Sequence, residues 1–232
     1  MAELRALVFD VFGTLVDWRS SVVDAATEAG RRAGVSADWP AVTDDWRREY
    51  PPALARARNE PSWRDLDALQ RETLEDVLAR HGVDLPASER EVLVQTWRRL
   101  RPWPDTVAGM DRLRGGFVTA TLSNGHVALL ADLVRFGGWR VDVVLSAELA
   151  ASYKPDPAVY LRGAQLLGRA PEEVGMVAAH AGDLEAAAGV GLRPLFVRRP
   201  DEWGTGVPED PPDLPGVVVA DGLDDLAAQL GC

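Results

Sequence analysis

Cysteine is almost absent from this chain of 232 residues. The single cysteine, Cys232, is the last residue, so it cannot form an intramolecular disulfide. A chain without disulfides is typical of a reducing compartment, and we expect a cytoplasmic protein. Because chain termini tend to fray, Cys232 is also a poor candidate for a catalytic nucleophile.

Long apolar runs are also missing from the sequence. No stretch approaches the roughly 20 apolar residues that a membrane-spanning helix requires. The N-terminal residues Met-Ala-Glu-Leu-Arg lack the basic region and the apolar region of a secretory signal. We therefore expect neither secretion nor a membrane partner.

Positive charge is scarce relative to negative charge. The formal net charge of −11 argues against nucleic acid or an anionic membrane surface as a partner. The nucleotide-binding patterns GxGxxG and GxxxxGK[ST] do not occur either. An anionic small molecule would need a local group of basic side chains that overcomes the negative field of the whole chain.

The sequence does contain an alternation of short apolar runs and helical patterns. The first run, residues 5–12, ends in Gly13-Thr14 and predicts a buried strand followed by a turn. Similar runs predict strands at 117–122, 141–145, 174–178, 194–197 and 217–219. Helical patterns lie between them, at 105–114, 126–136, 157–168, 183–190 and 222–230. This alternation predicts an α/β fold with a mostly parallel sheet covered by helices on both faces.

Residues 17–102 break this alternation, because they contain no convincing strand. Helical periodicity covers 21–33, 41–58, 63–81 and 88–100, and Pro51-Pro52 must interrupt or kink the second segment. A helical insert after the first strand predicts a cap domain over the active end of the sheet. The proline-rich residues 101–104 resemble a hinge. We expect a core domain of residues 1–16 and 103–232 and a helical cap domain of residues 17–102.

Polar side chains follow four of the predicted strands. In an open parallel sheet, ligands bind beyond the carboxyl ends of the strands. Each polar residue alone is more often a helix cap or a turn former, but four such ends in order are hard to explain by capping alone. The residues are Asp10 and Thr14, Ser123 and Asn124, Lys154 and Tyr160, and His180 and Asp183.

The motifs FDVFGTLVD, LSNG and YKPDPAVY occur in an order that resembles the haloacid dehalogenase superfamily over essentially the whole chain. The resemblance implies a Rossmann-like core with an inserted helical cap, and it suggests a homodimer. It places the nucleophile at Asp10, the hydroxyl of the second motif at Ser123, the lysine at Lys154 and the last acid at Asp183.

Two departures from the superfamily's phosphatase pattern carry the functional expectation. Phe12 stands where phosphatases have a second aspartate, the general acid, and Ala179 stands where they have a magnesium-binding aspartate. A halide leaves without a proton, so it needs no general acid. The pattern therefore resembles the L-2-haloacid dehalogenase branch, which implies attack of Asp10 on carbon, an aspartyl ester and no metal or other cofactor. The substrate implied is a small 2-haloacid, with Phe12 beside it.

Three other interpretations stay open at this level. The chain is a phosphatase with a relocated acid and metal site, or it is a non-catalytic binding protein that keeps the fold. Alternatively, Asp10 attacks a different carbon electrophile, such as a strained ring.

The remaining roles follow from charge and from the resemblance. Lys154 keeps Asp10 ionised and balances the anionic substrate, and a buried ion pair with Asp183 can coexist with this role. Asp183, with Lys154, is the candidate that positions or activates the hydrolytic water. Ser123, Thr14 and the backbone N–H groups near residues 11 and 12 are candidates for the substrate carboxylate. Asn124 is a candidate contact to halide or carboxylate, or simply a turn former.

Three further residues are assigned by the resemblance. Arg47 matches the arginine on the halide side, although Arg48 is adjacent and a surface ion pair is the alternative. Tyr160 matches a tyrosine that touches the site, and packing against the sheet is the alternative. His180 occupies a position where asparagine is expected, and it could orient water, donate to halide or fill space. Residues 198–204 are interpreted as a surface or dimer segment, and a role towards the substrate is an alternative that nothing in the sequence supports.

Overall fold

In the computed structural model, which describes residues 3–206 and 209–232, a parallel sheet of six strands forms the centre of the protein. The strand order is β5-β4-β1-β6-β7-β8. The expected α/β class is confirmed. The bounds of these strands are β1 Ala6–Phe9, β4 Val118–Ser123, β5 Val143–Ser146, β6 Val174–Ala178, β7 Arg193–Val197 and β8 Val218–Ala220.

Strand β1 lies in the middle of the sheet and is buried along its whole length. A strand that is covered on both faces gains most from a continuous apolar run, which is what Ala-Leu-Val-Phe provides. Phe9 pairs with Thr121 of β4 on one side and with Val177 of β6 on the other. The carboxyl ends of β1, β4 and β6 therefore lie side by side, and the residues that follow them can converge.

Five helices lie in the part of the chain after residue 102, and four of them follow strands of this sheet. Helix α9 packs against β6 and β7, and α6 packs against α10. The proposed site depends most on α8 and α9, which bring polar residues to the ends of the strands. Their bounds are α6 Thr106–Gly116, α7 Val127–Gly137, α8 Pro157–Leu166, α9 Ala181–Gly189 and α10 Leu223–Gln229.

The other five helices form the insert. Helix α1 packs against α2 and α5, and α4 packs against α2, α3 and α5. The expected interruption at Pro51-Pro52 is confirmed, because α2 ends at Arg48 and both prolines lie in the first turn of α3, where a missing N–H is tolerated. The bounds are α1 Trp18–Ala33, α2 Trp39–Arg48, α3 Tyr50–Ala57, α4 Leu66–Arg80 and α5 Ala87–Thr96.

A two-residue antiparallel ladder joins the two connections between the insert and the sheet. Strand β2 (Val16–Asp17) pairs with β3 (Arg101–Pro102), with Asp17 opposite Arg101. The expectation of no strand in residues 17–102 is therefore wrong at its two ends. The first and last residues of the insert are held together there, and Trp103 Nε1 donates to the carbonyl of Gly13 at 2.9 Å.

This ladder supports the division into two domains that the sequence suggests. We propose a cap domain of residues 17–102 and a core domain of residues 1–16 and 103–232. Of the core domain, Met1, Ala2, Val207 and Pro208 lie outside the described residues. No helix in the described part of the chain is long and apolar enough to cross a membrane.

Candidate active site

Asp10 lies directly beyond the end of β1 and is 8% exposed. Its backbone N–H continues the pairing with β6 by donating to the carbonyl of Val177 at 2.9 Å. The side chain Oδ2 accepts a hydrogen bond from Thr14 Oγ1 at 3.0 Å. Lys154 Nζ lies 3.5 Å from Oδ1, and His180 Nδ1 lies 3.5 Å from Oδ2. Each carboxylate oxygen thus faces one basic side chain.

The turn after Asp10 fixes the direction of its carboxylate. Thr14 is fully buried, and its hydroxyl donates to Asp10 while accepting from the backbone N–H of Ala179 at 3.0 Å. The hydroxyl proton and one lone pair are therefore used within the protein. Thr14 consequently holds Asp10 in place and links the ends of β1 and β6. This geometry favours an orienting role over the expected contact with a substrate carboxylate.

Lys154, Asp183 and Tyr160 form a buried network beside Asp10. Lys154 Nζ donates to Asp183 Oδ2 at 2.7 Å, and the hydroxyl of Tyr160 donates to Asp183 Oδ1 at 2.6 Å. Burial raises the pKa of Asp183 above its ordinary value, with Lys154 opposing the shift and the charge of Asp10 adding to it. Burial and the adjacent Asp183 also raise the pKa of Tyr160, so its hydroxyl is a donor. Both oxygens of Asp183 already have partners.

The basic group of this network is unusual for the chain. Lys154 is the only lysine in a sequence with 25 lysine and arginine residues in total. An ammonium group is a compact point charge with three donors, which can serve two carboxylates at once. The backbone N–H of Lys154 donates to Asn124 Oδ1 at 2.8 Å, and this hydrogen bond connects the loop before α8 to the loop after β4.

Ser123, the last residue of β4, is fully buried. Its Oγ is buried and has no hydrogen-bond partner among the residues that the structure describes. A buried hydroxyl without a partner costs about 1–3 kcal/mol, and a bound acceptor removes that cost. The position next to Asn124 at the edge of the site makes Ser123 a candidate donor to a ligand.

A pocket of about 660 Å³ opens over these residues between the insert and the sheet. All of the predicted site residues line it except Thr14 and Ser123, which are buried beside it. Phe12 lines the pocket wall, and its ring meets Trp97 edge to face at 5.6 Å. The aromatic ring leaves no acidic group at the position of a second aspartate.

The choice between Arg47 and Arg48 can be made from their surroundings. The guanidinium of Arg47 lies over the rings of Tyr50 and Trp18, at 4.3 Å and 5.2 Å, and its Nη1 is buried without a hydrogen-bond partner in the described part of the chain. Arg48 is largely exposed and pairs with Asp45 at 2.6 Å. Arg47 is therefore the better candidate for binding an anion in the pocket. The alternative, a surface ion pair, describes Arg48.

Glu202 is the site residue that the sequence interpretation missed. It belongs to residues 198–204, which were expected to be a surface or dimer segment, yet it is 4% exposed. The surface interpretation is wrong for this residue. Its Oε1 accepts from Trp18 Nε1 at 2.9 Å, and both carboxylate oxygens lie 3.0 Å from His180 Nε2. Trp203 beside it lines the pocket.

The charge states follow from these contacts. Burial alone would raise the pKa of Asp10, but Lys154, His180 and the Thr14 hydrogen bond outweigh burial and hold it well below its usual range. Burial opposes protonation of His180, yet Glu202 and Asp10 raise its pKa well above the ordinary value. Burial likewise opposes the ionised form of Glu202, but His180 and Arg47 keep its pKa low. The free protein therefore holds an imidazolium between two carboxylates.

The side chains present do not fit a magnesium site. Mg²⁺ requires oxygen ligands, usually anchored by carboxylates, but residue 179 is alanine and both oxygens of Asp183 are occupied. The Lys154 ammonium stands 3.5 Å from Asp10, where it would repel a second cation. Within residues 3–206 and 209–232, no group of three or more His, Cys, Asp or Glu side chains is arranged to hold a metal ion.

Comparison with known proteins adds a second line of observation. The family model described as haloacid dehalogenase-like hydrolase matches residues 4–191. The chain is 29% identical over 202 residues to (S)-2-haloacid dehalogenase 4A of Burkholderia cepacia, with 85% of this chain and 84% of the relative covered. The crystal structure of an L-2-haloacid dehalogenase superimposes with a TM-score of 0.91 and 43% identity, covering 98% of both chains. That of a defluorinating L-2-haloacid dehalogenase gives 0.93 and 38%, covering 99% of this chain and 96% of that one.

Proposed function

The chain belongs to the haloacid dehalogenase-like hydrolase family, and we propose that it hydrolyses small 2-haloacids to 2-hydroxy acids and halide through an ester on Asp10. One observation carries the proposal. A buried, ionised carboxylate faces a pocket in which Phe12 replaces the acid that an oxygen leaving group would need. Relatives that carry the name (S)-2-haloacid or L-2-haloacid dehalogenase support it.

In the first step, an oxygen of Asp10 attacks the carbon that bears the halogen. The new O–C bond forms as the C–X bond breaks, and the halide leaves with the bonding electron pair, so no proton is required. Oδ2 is held by Thr14 and faces His180, whereas Oδ1 has only the Lys154 ammonium at 3.5 Å. We assign Oδ1 as the attacking oxygen. A single displacement at a chiral C2 predicts inversion.

Two polar groups at the site would bind the substrate carboxylate and the departing halide. The unpartnered hydroxyl of Ser123, with Asn124 beside it, is the proposed partner of the substrate carboxylate. The guanidinium of Arg47, whose Nη1 is buried without a partner among the described residues, is the proposed partner of the departing halide. Phe12 packs against the short apolar part of the substrate, and its ring supplies no proton to the leaving group.

Local positive charge can overcome the net charge of −11. Charges separated by more than about 8 Å in solvent are largely screened at physiological ionic strength, whereas contacts in a pocket are not. Lys154, Arg47 and Arg58 all line the pocket. They provide the basic group that an anionic substrate requires.

Asp183 is assigned to hold Lys154 rather than to contact the substrate. Its two oxygens bind Lys154 and Tyr160, so it orients the ammonium that keeps Asp10 ionised. We propose that the reaction needs no metal, because the donor set does not fit one. We further propose a cytoplasmic location, supported by the single cysteine, and a homodimer, suggested by the resemblance alone.

The test is halide release from chloroacetate, fluoroacetate and both enantiomers of 2-chloropropionate, with EDTA present. We expect halide from at least one substrate, with a 2-hydroxy acid as the product and inverted configuration at a chiral centre. No halide from any of them would refute the proposed reaction. Halide release that EDTA abolishes would refute only the metal-independent part. Hydrolysis of p-nitrophenyl phosphate that requires Mg²⁺ would instead identify a phosphatase.

The rate of the first step should change little with acid over a wide range. Because the pKa of Asp10 lies well below its usual value of about 3.9, the nucleophile stays ionised at pH values where an ordinary aspartate would begin to protonate. We expect the halide burst in rapid-quench experiments to keep its rate constant from pH 7 to about pH 3.5, where an aspartate with the ordinary pKa would be roughly 70% protonated. A burst rate that falls about threefold or more between pH 5 and about pH 3.5 would contradict the low pKa.

A further inference from the structure

A small cavity lies inside the helical insert, apart from the substrate pocket. Its volume is about 10 Å³, which is the space that one water molecule or one monatomic ion requires. Gln70, Trp97 and Arg47 line it, together with apolar side chains such as Leu66 and Leu69. Of the three polar residues, only Arg47 also lines the substrate pocket. We call this space the insert cavity.

The polar groups in the wall of the insert cavity have unused hydrogen-bonding capacity. Gln70 is 3% exposed, and neither its Nε2 nor its Oε1 has a partner among the residues that the structure describes. The same is true of Nε1 of Trp97, which is 2% exposed, and of Nη1 of Arg47. A buried donor without an acceptor destabilises the folded protein. Three such donors around one small space indicate a binding site for an acceptor.

We infer that the insert cavity is a second halide site, in which one halide ion accepts hydrogen bonds from Gln70, Trp97 and Arg47. The site differs from the contact proposed for the departing halide, because Gln70 and Trp97 do not line the substrate pocket. Binding of a halide depends on these side chains alone. Its supply by the protein's own reaction rests on the proposed function.

The excess of donors favours a halide over a water molecule. Gln70 Nε2, Trp97 Nε1 and Arg47 Nη1 are donors, whereas Gln70 Oε1 is the one unpartnered acceptor among the buried side-chain atoms of the described wall. The hydroxyl of Thr73, which also lines the cavity, donates to a carbonyl of its own helix and accepts from Trp46 Nε1 at 3.1 Å. A water molecule has two protons to donate, but a halide has none. The wall therefore fits a ligand that only accepts.

The charge of the wall also favours an anion. The guanidinium of Arg47 is the one charged group among the described residues that line the insert cavity, and none of them is acidic. A buried ion is tolerated when an opposite charge and hydrogen bonds compensate the loss of water. Glu202 also feels the charge of Arg47, which contributes to its low pKa. Because Glu202 is already paired with His180, the Arg47 charge remains available to a halide.

The position of Arg47 connects the insert cavity to the proposed reaction. Its guanidinium lies 4.3 Å from the ring of Tyr50 and 5.8 Å from that of Trp97, and it lines both spaces. A halide that leaves the substrate carbon can therefore pass from the pocket to the cavity along one guanidinium. In the cavity it is kept away from the Asp10 ester. Attack by the halide on the same carbon would break the new O–C bond and return the substrate.

The first test measures chloride binding through stability. Chloride that binds the folded protein raises the urea midpoint of unfolding, so titration with sodium chloride gives a Kd, with sodium gluconate keeping the ionic strength constant. Gln70→Leu removes both amide atoms, and Trp97→Phe removes Nε1 but keeps an aromatic ring. We expect the chloride Kd to rise about 10-fold or more in each variant, as for the loss of a hydrogen bond to an ion. Gln165→Leu makes the same change at an exposed position on α8 and should keep the Kd of the unaltered protein.

The second test locates the ion. Crystals of the unaltered protein grown in sodium chloride should show an anomalous scattering peak in the insert cavity, beside Trp97 Nε1 and Gln70, when diffraction is measured at long wavelength. Crystals of Gln70→Leu should lack this peak. The substitution removes unpartnered buried atoms, so the variant should fold. If neither variant folds, diffraction from the unaltered protein decides the matter.

Two results would overturn the inference. One is a chloride Kd that stays within about threefold of the unaltered value in both Gln70→Leu and Trp97→Phe. The other is an anomalous map without a peak in the insert cavity, including a map whose peak is confined to the substrate pocket beside Asn124. Failure of the unaltered protein to release halide from any 2-haloacid would refute the proposed function, whereas chloride binding in the cavity would still support the second site.

Discussion

Replacement of Asp10 by asparagine should reduce halide release by about 10⁴-fold or more, as expected for the loss of a covalent nucleophile. An amide oxygen carries no formal charge and cannot form the ester at a useful rate. The change alters no volume, and Thr14 can still donate to the side-chain oxygen, so the fold should persist. The measurement is halide release over hours, with circular dichroism to check folding.

Two comparisons make this result specific. Asp84→Asn removes a charge from an exposed residue between α4 and α5 and should leave halide release unchanged. In the unaltered protein, a single turnover in H₂¹⁸O should place the label in the carboxylate of Asp10. Label that appears only in the product would show direct attack by water and would contradict a covalent role.

The parts of the fold that depend on local pattern could be predicted from the sequence. Strand β6, Val174–Ala178, has the expected bounds because a continuous apolar run fits a strand buried on both faces. Strand β1 is shorter than the expected residues 5–12, because the chain turns after Phe9 and Leu15 N–H bonds back to the carbonyl of Val11. Side chains that continue an apolar run can thus belong to a turn.

The cluster of strand-end residues was also predictable, because parallel order brings the carboxyl ends of β1, β4 and β6 together. The choice of Arg47 over Arg48 was not. Adjacent helical residues differ by about 100° in direction, and the packing of α2 decides which one meets Trp18 and Tyr50. Only the tertiary packing determines which of the two arginines faces the site.

Glu202 could not be predicted, because an acidic residue in a loop rich in charge is normally solvated. Only the placement of the segment after β7 brings it against His180 and Trp18.

One signal in the sequence was available for Lys154. A chain that uses arginine for all its other long basic side chains keeps a single lysine.

The substitution Lys154→Met should have the largest effect on stability. It leaves Asp10 and Asp183 buried without the ammonium that lies 3.5 Å from one and 2.7 Å from the other. Breaking a buried ion pair by removing one partner costs about 3–5 kcal/mol, because an uncompensated charge stays in the interior. We expect the free energy of unfolding at pH 7, measured by urea titration, to fall by about that amount. Halide release should be lost as well.

The loss of unfolding free energy in Lys154→Met should depend on pH, whereas general damage to the core would not. In the unaltered protein the pKa of Asp10 is lowered, so its stabilising contribution is present above its unfolded pKa and is lost as pH falls towards the folded value. Without Lys154, the pKa of Asp10 should rise, although His180 and Thr14 still oppose burial there, and the pKa of Asp183, which burial already raises, should rise further. The destabilisation is then largest at neutral pH and should shrink as the pH falls towards about 4, where protonation relieves the buried charges.

Lys154→Arg serves as the charge-preserving control, and we expect it to retain more of the stability than Lys154→Met at pH 7. A stability difference between Lys154→Met and the unaltered protein that stays constant from pH 7 to about pH 4 would contradict the electrostatic account. Because Lys154 is the only lysine, lysine labelled with ¹⁵N gives a single side-chain signal. That signal should shift when a substrate alkylates Asp10, since the ammonium then loses one of its two carboxylate partners.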